Sequence, residues 1–221
     1  MITPRLQCIL KYAGSEVIAD IGTDHAYIPI EIIKENKAKK VIAADINKGP
    51  LDIAKKNIDE NGLSDKIETR LGSGISVLKN GEAGQIIIAG MGGELISNII
   101  HDNIDIAYGA KLLLQPMNEQ ELLRRFLIDN GFTITSEDIA VEGFKVYNVI
   151  NAQKGEQAPF ENEIDYHIPQ YLKGHEFYGE LYNKKKREFS KIVSGLEKAK
   201  SVDKEKLKKY RILLNELMER N

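Results

Sequence analysis

Cysteine is almost absent from this chain, which has one among its 221 residues. A single thiol, Cys8, excludes an internal disulfide and a metal site built from several cysteines. Because Cys8 stands among apolar neighbours such as Leu6 and Ile9, we predict a buried thiol rather than a reactive one.

Long apolar runs are also missing. No uninterrupted run approaches the roughly 20 residues that a membrane-spanning helix needs. The first residues lack the charged start, apolar middle and small-residue cleavage site of a signal peptide. We therefore expect a cytoplasmic protein that does not contact a membrane.

Charge is divided unevenly along the chain, although the net charge is only −2. Residues 1–150 contain 16 basic against 21 acidic residues, whereas residues 151–221 contain 15 against 12. Because basic surfaces attract polyanions, the last third is the part best suited to such a partner.

Apolar runs of strand length alternate with amphipathic runs over the first 130 or so residues. This alternation predicts a parallel sheet with helices on both faces. Thr3 followed by Pro4 is typical of a helix start. The predicted strands are 17–21, 40–45, 66–71, 85–89 and 111–115, and the predicted helices are 4–13, 26–36, 48–61, 93–104 and 118–130.

The rest of the chain departs from the alternation. Residues 132–142 and 144–152 are strand-like runs around Gly143, which predicts an antiparallel hairpin that completes a seven-stranded sheet. Residues 153–169 have the composition of a linker. Two long antiparallel helices that form a short coiled coil are predicted to follow it, with Lys185 where an apolar residue is expected. We therefore predict a catalytic-type α/β domain over 1–152 and a linker with a helical domain over 153–221.

Three predicted strands end in glycines or acids, at Asp20 and Gly22, at Asp45, and in the run AGMGG at 89–93. Ligands of such sheets bind outside the carboxyl ends of the strands. The turn after the first strand, GTDHAY, lacks the GxGxxG pattern that a dinucleotide's pyrophosphate needs. A cofactor without phosphates, with an amino-acid end and an adenosine end, has no such need. The residues at these strand ends therefore predict S-adenosylmethionine as the bound cofactor.

Asp45 follows Gly22 by 23 positions, where a carboxylate can accept hydrogen bonds from both ribose hydroxyls. The alternative is an exposed aspartate at a strand end, with Asn47 as the cap of the next helix. Gly72, Ser73 and Gly74 are expected near the adenine, or else form a simple loop. The small residues from Ala89 leave room beneath the methionine end. The predicted cofactor contacts are Asp20, Gly22, Asp24, Asp45, Ile46, Gly72, Ser73, Gly74, Ala89, Gly90, Met91 and Gly92.

Five motifs in this order and spacing, ADIGTDHAYIP, AADI, RLGSG, IAGMGGELI and LLLQPM, resemble the bacterial tRNA (adenine-N1)-methyltransferases of the TrmK type. The resemblance covers roughly residues 3–150. It implies a Rossmann-like class I methyltransferase fold, a coiled-coil-like C-terminal domain, S-adenosylmethionine as cofactor, and tRNA as substrate, methylated at the adenine of position 22.

Methyl transfer to adenine N1 needs no strong general base, because N1 already carries the attacking lone pair. Gln115, at the end of the fifth predicted strand, is placed to hold the base edge. His25 and Tyr27 are predicted to line the same mouth and to stack on the adenine or hydrogen-bond to it. Alternatively, His25 caps a helix or holds Asp24, and Tyr27 packs on the sheet.

Adenine N1 lies on the Watson–Crick edge, so the base must be unpaired and swung out. Arg5 and the basic run Lys184, Lys185, Lys186 and Arg187 are the predicted RNA contacts, although lysines on long helices are often only a solvated face. His101, His167 and His175 show no metal-ligand spacing, so we expect no metal. A monomer or weak homodimer is expected. Two other functions stay open: methylation of a protein or small molecule, and a non-catalytic nucleotide-sensing scaffold.

Overall fold

A twisted sheet of seven strands forms the centre of the molecule in the computed structural model, which describes residues 2–199 and 201–220. The strand order is β3-β2-β1-β4-β5-β7-β6; the first five strands in the chain run parallel, and β7 runs antiparallel to both neighbours. The strands are β1 Val17–Ile21, β2 Lys40–Asp45, β3 Ile67–Leu71, β4 Gln85–Met91, β5 Lys111–Pro116, β6 Phe132–Glu142 and β7 Lys145–Lys154. The predicted fold class is confirmed.

Helices cover both faces of the sheet. Ile18 packs against the first three helices of the chain, whereas Ala19 and Ile21 pack against the next three. Successive side chains of a strand point to opposite faces of the sheet, so a strand that is buried on both faces places apolar residues on each side in turn. The helices are α1 Pro4–Tyr12, α2 Tyr27–Lys34, α3 Lys48–Glu60, α4 Gly93–His101, α5 Ile104–Tyr108 and α6 Gln120–Asp129.

The helix predicted over 93–104 is two helices. The backbone of Asn103 leaves the helical region, with φ −141° and ψ 49°, and α5 begins at the next residue. Asp102 and Asn103 have short polar side chains, which compete for backbone hydrogen bonds and favour helix ends. The apolar periodicity continues through both segments and therefore conceals the break.

The segment predicted as a linker contains a buried helix, α7 Glu163–His167, so the linker prediction is wrong for its second half. Two long helices follow, α8 Tyr178–Glu197 and α9 Lys204–Glu219. They run antiparallel, since Arg220, at the end of α9, bonds to Asp165 and to Ile168 O ahead of α8. The coiled-coil packing and the domain boundary at 152/153 stay predictions.

The tail, residues 163–220, packs on the β6–β7 hairpin. Ile139 and Val146 of the hairpin share an apolar cluster with Leu181 and Phe189 of α8 and with Leu217 of α9. None of the helices in residues 2–199 and 201–220 is both long and apolar enough to span a bilayer.

A fully buried arginine joins the tail to the sheet domain. Arg124 of α6 donates from Nε and Nη2 to the two carboxylate oxygens of Glu137 at 2.8 and 2.7 Å, and from Nη1 to Tyr166 O at 2.7 Å. The Tyr171 hydroxyl donates to the same carboxylate. Because each charge is paired and hydrogen-bonded, the burial of the pair is tolerated.

A second anchor surrounds Asp138 of β6. Its Oδ2 accepts hydrogen bonds from Lys11 Nζ and the Tyr12 hydroxyl, both at 2.8 Å, and its Oδ1 lies 2.6 Å from His175 Nε2. Burial alone would raise the pKa of Asp138, but these partners hold it below its usual range. One carboxylate thus contacts both the N-terminal helix and the entrance to α8. Nearby, burial raises the pKa of the Cys8 thiol to about 12, as expected of an unreactive cysteine.

Glu137→Gln should lower the free energy of unfolding by about 3–5 kcal/mol, because it leaves the buried Arg124 charge without its counter-ion. The measurement is urea denaturation at pH 7. The matched control is Glu16→Gln, which breaks the exposed pair of Glu16 and Lys39 and should change stability little. Equal small losses in both variants would show that the buried pair is not an anchor.

Candidate active site

A strained loop follows β1. Gly22 has a φ of +77°, and two non-glycine residues, Asp24 and Ala26, also adopt left-handed φ values of 47° and 58°. Asn57 of α3 holds this loop by donating from Nδ2 to His25 O at 3.0 Å. Such conformations typically cost about 1–3 kcal/mol each and concentrate at functional sites. The loop turns its side chains toward the carboxyl ends of the strands.

A cavity of about 240 Å³ lies at the ends of β1 and β4, under this loop. It brings together residues of both glycine-containing motifs and of the N-terminal helix. Leu6, Thr23 and Ile28 also line it and were not predicted. Their apolar or hydroxyl side chains gave no chemical signal in the sequence. The lining residues are Arg5, Leu6, Asp20, Gly22, Thr23, Asp24, Tyr27, Ile28, Ala89 and Gly90.

Asp20 is the buried acid of this cavity, with 3% of its surface exposed. Burial raises the pKa of its carboxyl to about 7; the nearby Thr23 hydroxyl opposes the rise, although its geometry falls short of a hydrogen bond, and the charge of Asp45 adds to it. Within the described ranges Asp20 forms no salt bridge, and the Thr23 hydroxyl is buried without a hydrogen-bond partner. The cavity therefore has an acid that a cationic ligand can neutralise.

Asp45 is largely buried at the end of β2, which argues against the alternative of an exposed strand-end aspartate. Its Oδ1 accepts a hydrogen bond from Asn47 N at 2.7 Å, which leaves Oδ2 for another donor. Asn47 stands at the cap position of α3, but its side chain makes no capping hydrogen bond. The ribose contact of Asp45 stays a prediction.

Two large apolar side chains are exposed beside Asp45. Ile46 is 63% exposed and Leu71 is 57% exposed, and Leu71 pairs with Asp45 in the β2–β3 register. A planar aromatic ligand can pack on such a surface. Leu71 was not predicted as a site residue, because a strand-end leucine is normally read as core.

Close packing explains why glycine stands at positions 72 and 74. A Cβ at Gly72 would lie 2.5 Å from Val77 Cγ1, and one at Gly74 would lie 3.0 Å from Ile99 Cγ2. Gly72 thus accommodates the short 3-10 turn Gly74–Val77, and Gly74 allows the start of this turn to approach Ile99 of α4. Ser73 is exposed between them, and its contact with a ligand stays a prediction.

The glycines after β4 serve different purposes. Gly90 has a φ of +79° and lines the cavity near Arg5, whose Nη1 would lie 3.5 Å from an added Cβ. Gly92 and Gly93 instead allow close packing on residues 118–119, where a Cβ at Gly93 would overlap the backbone of Glu119. The Met91 side chain occupies the space next to Gly22.

Gln115 lies behind Arg5 rather than in the mouth. It is fully buried; its Oε1 accepts from Arg5 Nη1 at 2.8 Å and its Nε2 donates to Pro116 O at 3.0 Å. Its amide is therefore occupied on both sides, and the predicted direct contact with a base edge does not fit this arrangement. Gln115 instead orients the Arg5 guanidinium.

His25 and Tyr27 form an aromatic pair at the mouth, with ring centroids 5.3 Å apart and planes at 35°. Tyr27 is 56% exposed and does not pack on the sheet as the alternative required. His25 Nε2 lies 3.6 Å from Asp24 Oδ2, so the alternative in which His25 holds Asp24 does occur. Both rings remain open to solvent.

The basic run on α8 does not form one surface. Lys184 Nζ donates to Val146 O at 2.8 Å, and Lys185, 4% exposed, contacts Gln120 Oε1 at 3.2 Å and Glu188 at 3.1 Å. Successive helical residues point in different directions, so the run is split between the interior and solvent. Only Lys186 and Arg187 are exposed, which corrects the predicted four-residue RNA contact.

The family described as methyltransferase domain matches residues 2–150 of this chain. The chain belongs to that family. This match covers the sheet and the cavity at the ends of β1 and β4, and it confirms the methyltransferase class predicted from the strand-end motifs.

A comparison with individual proteins narrows the similarity to one kind of methyltransferase. The tRNA (adenine(22)-N(1))-methyltransferase of Bacillus subtilis is 38% identical over 158 residues, which cover 71% of this chain and 66% of that protein. The match thus spans just under two thirds of that relative's length. The resemblance to the TrmK type stated from the motifs is confirmed.

Solved structures align over the whole chain. The B. subtilis m1A22 tRNA methyltransferase TrmK has a TM-score of 0.88 at 30% identity, with 100% of this chain and 98% of that chain covered. Sp1610 of Streptococcus pneumoniae, solved in complex with S-adenosyl-L-methionine, has a TM-score of 0.87 at 29% identity, with 100% and 99% covered. The helical tail is therefore part of the shared architecture.

Gly22→Ala should destabilise the protein by about 1–3 kcal/mol, because a Cβ there overlaps Met91 Cε and the φ of +77° is strained for alanine. Chemical denaturation measures the loss. Adding Met91→Ala to this variant should restore the stability that is lost to the steric overlap, but not the stability that is lost to the strained φ. The control, Gly49→Ala, has open space around the added Cβ and lies in α3, so it should be neutral or slightly stabilising. Identical effects at both glycines would contradict this account of the turn.

Proposed function

We propose that this protein transfers the methyl group of S-adenosylmethionine to N1 of an adenine in tRNA, at the position equivalent to adenine 22. The observation that carries the proposal is the buried, unneutralised carboxylate of Asp20 in the rim cavity of a methyltransferase fold. Whole-chain similarity to a tRNA methyltransferase, tail included, supports the substrate class.

The residues at the rim fit the proposed cofactor. Asp20 faces the cavity where a ligand ammonium group would neutralise it, and Asp45 has a free carboxylate oxygen for ribose hydroxyls. Ile46 and Leu71 offer an apolar surface for the adenine ring. No phosphate cradle is present in the loop after β1, and S-adenosylmethionine needs none. When bound, this cofactor supplies a methyl group already activated on a sulfonium.

The side chains at the mouth suit an adenine acceptor. N1 attacks with its own lone pair, so positioning rather than proton abstraction is required. The adenine gains positive charge as the methyl group arrives, and a carboxylate at the mouth stabilises that charge. Asp24 lines the cavity with its side chain 69% exposed, and this exposure supports assigning its carboxylate to the acceptor adenine instead of the predicted cofactor contact. The buried Asp20 is assigned to the cofactor. His25 and Tyr27 offer rings on which the base can stack.

The tail is the proposed RNA-binding part. Moving an adenine out of a folded RNA costs a few kcal/mol of unstacking and unpairing free energy. Contacts to phosphates elsewhere must offset this cost. Lys186 and Arg187 remain exposed for such contacts, and Lys206 and Lys208 are exposed on α9. We also propose that residues 153–221 form a second domain that is packed firmly on the first, that the protein is a monomer or weak homodimer, and that it acts in the cytoplasm.

Purified protein with labelled S-adenosylmethionine and unmodified tRNA should place one methyl group on adenine 22, as mapped by primer extension, which stops at N1-methyladenine. A tRNA with uridine at position 22 is the matched substrate control and should accept no label. Asp45→Ala should weaken cofactor binding measured by calorimetry, because the ribose loses its acceptor.

Label on proteins or small metabolites but not on tRNA would favour the alternative methyltransferase function. Cofactor binding without any methylated product would favour a nucleotide-sensing scaffold. Either result would overturn the proposed activity.

Cofactor affinity should depend on pH through Asp20. With a carboxyl pKa of about 7 in the free protein, Asp20 is mostly ionised at pH 8 and mostly protonated at pH 6. S-adenosylhomocysteine has no sulfonium charge, but its ammonium group favours the ionised form of Asp20. If the ligand binds only that form, its affinity should fall roughly tenfold from pH 8 to pH 6. Calorimetry at both pH values measures it.

Asp20→Asn is the control for this effect. It keeps the shape of the side chain and removes its titration, so affinity should be lower at pH 8 and nearly independent of pH. A wild-type affinity that does not change between pH 6 and pH 8 would contradict the role of Asp20.

A further inference from the structure

A second cavity, of about 250 Å³, lies between the β5–α6 loop and the tail. Met117 and Asn118 form its exposed rim on the sheet domain. The tail contributes His167, Phe189 and Tyr210 to its walls. The proposed methyl transfer uses none of these three side chains.

Aromatic rings form one wall of this cavity. The His167 and Phe189 rings meet edge to face, with centroids 5.2 Å apart and planes at 89°. The Phe189 and Tyr210 centroids are 5.7 Å apart with planes at 62°. Phe189 is 2% exposed and belongs to the apolar cluster of the tail, which leaves the partly buried Tyr210 as the ring on which an unpaired base of RNA can stack.

His167 has hydrogen-bonding capacity that the described residues do not use. The residue is 4% exposed, and its Nε2 is buried without a partner among them. Its Nδ1 lies 3.5 Å from Glu121 Oε2, and the neutral tautomer with the proton on Nδ1 faces that carboxylate and leaves Nε2 as an acceptor. Burial lowers the pKa of His167, which keeps the ring neutral at physiological pH.

Hydrogen-bond donors and acceptors also line this cavity, and Lys185 lies one helical turn from Phe189 on α8. Lys185 is almost fully buried there and contacts Gln120 and Glu188, while Lys184 lines the same space. A nucleobase presents both donors and acceptors on its edge. At about 250 Å³ the cavity has room for one planar base.

The two cavities are separated by one loop. Met117 N donates to Met91 O at 2.8 Å, and Asn118 O accepts from Gly93 N at 3.1 Å. The β5–α6 loop therefore contacts the glycine motif of the methyl-transfer cavity on one side and lines the tail cavity on the other. An RNA strand that delivers a base to the first is close to the second.

We propose that the cavity formed by the β5–α6 loop, His167, Phe189 and Tyr210 binds a second unpaired nucleobase of the RNA substrate, distinct from the adenine that is methylated. This inference rests on the proposed tRNA methylation. The second base fixes the register of the RNA, so that the target adenine is presented at the mouth.

The test uses tRNAs with a single abasic nucleotide at each unpaired position near the methylated adenine, and the full-length protein. Fluorescence anisotropy gives Kd for each RNA. Beyond the methylated position itself, one abasic position should weaken binding to the wild type about tenfold, as expected for a lost stacked base.

Tyr210→Ala tests whether this cavity is responsible. The variant should bind intact tRNA about tenfold more weakly, and the sensitive abasic position should no longer matter to it, as in a double-mutant cycle. Tyr210→Phe keeps the ring and should keep the wild-type response to that position. Ile212→Ala, on the exposed side of α9, is the matched control. Melting temperatures and S-adenosylhomocysteine affinity check that each variant is folded.

Two results would overturn the inference: wild-type binding that is insensitive to every abasic position other than the methylated one, or a sensitive position that keeps its full effect in Tyr210→Ala. Methylation of intact tRNA by the wild type is scored in parallel. If methylation proceeds while the abasic tRNAs bind alike, only the second base site fails. If intact tRNA is neither bound nor methylated, the proposed function fails with it.

Discussion

The active site depends on a left-handed backbone between β1 and α2. Gly22 makes room for Met91, and Asp24 and Ala26 adopt strained φ values that place an exposed carboxylate beside a sealed one. Two acids four residues apart thereby differ in solvation, and the proposed function assigns the buried Asp20 to the cofactor and the exposed Asp24 to the positive charge that develops on the adenine. Asn57, from α3, holds the loop in that shape.

The tail is built into the sheet domain rather than attached by a flexible linker. Arg124 carries hydrogen bonds from α6 to both β6 and α7, and Lys185 reaches Gln120 at the start of α6. Because α6 begins directly after the β5–α6 loop, these buried polar contacts set the position of that loop. A tail that only dimerised the protein would not need them.

The sheet could be predicted from the sequence because its strands are nearly continuous apolar runs. In a parallel sheet the carboxyl ends of the strands meet at one edge, so the residues that follow them could be predicted to lie together. Asp20, Gly22, Asp24, Ala89 and Gly90 were found for that reason. The helix α7 was missed because its burial depends on Arg124, 42 residues away from Tyr166. Gln115 was placed at the mouth because a polar side chain gives no sign that a distant partner will bury it. Lys185 was assigned to RNA because of its charge, although the apolar periodicity of α8 puts it where a buried residue is expected.

Asp138 gives the N-terminal helix and the tail a common support. Lys11 and Tyr12 belong to the same helix as Arg5, which borders the methyl-transfer cavity, while His175 stands where the chain enters α8. Asp138 thus connects the entrance to α8 with the helix that carries Arg5. If a ligand that binds at Arg5 changes the affinity of the tail for RNA, the RNA must change the affinity for that ligand by the same factor.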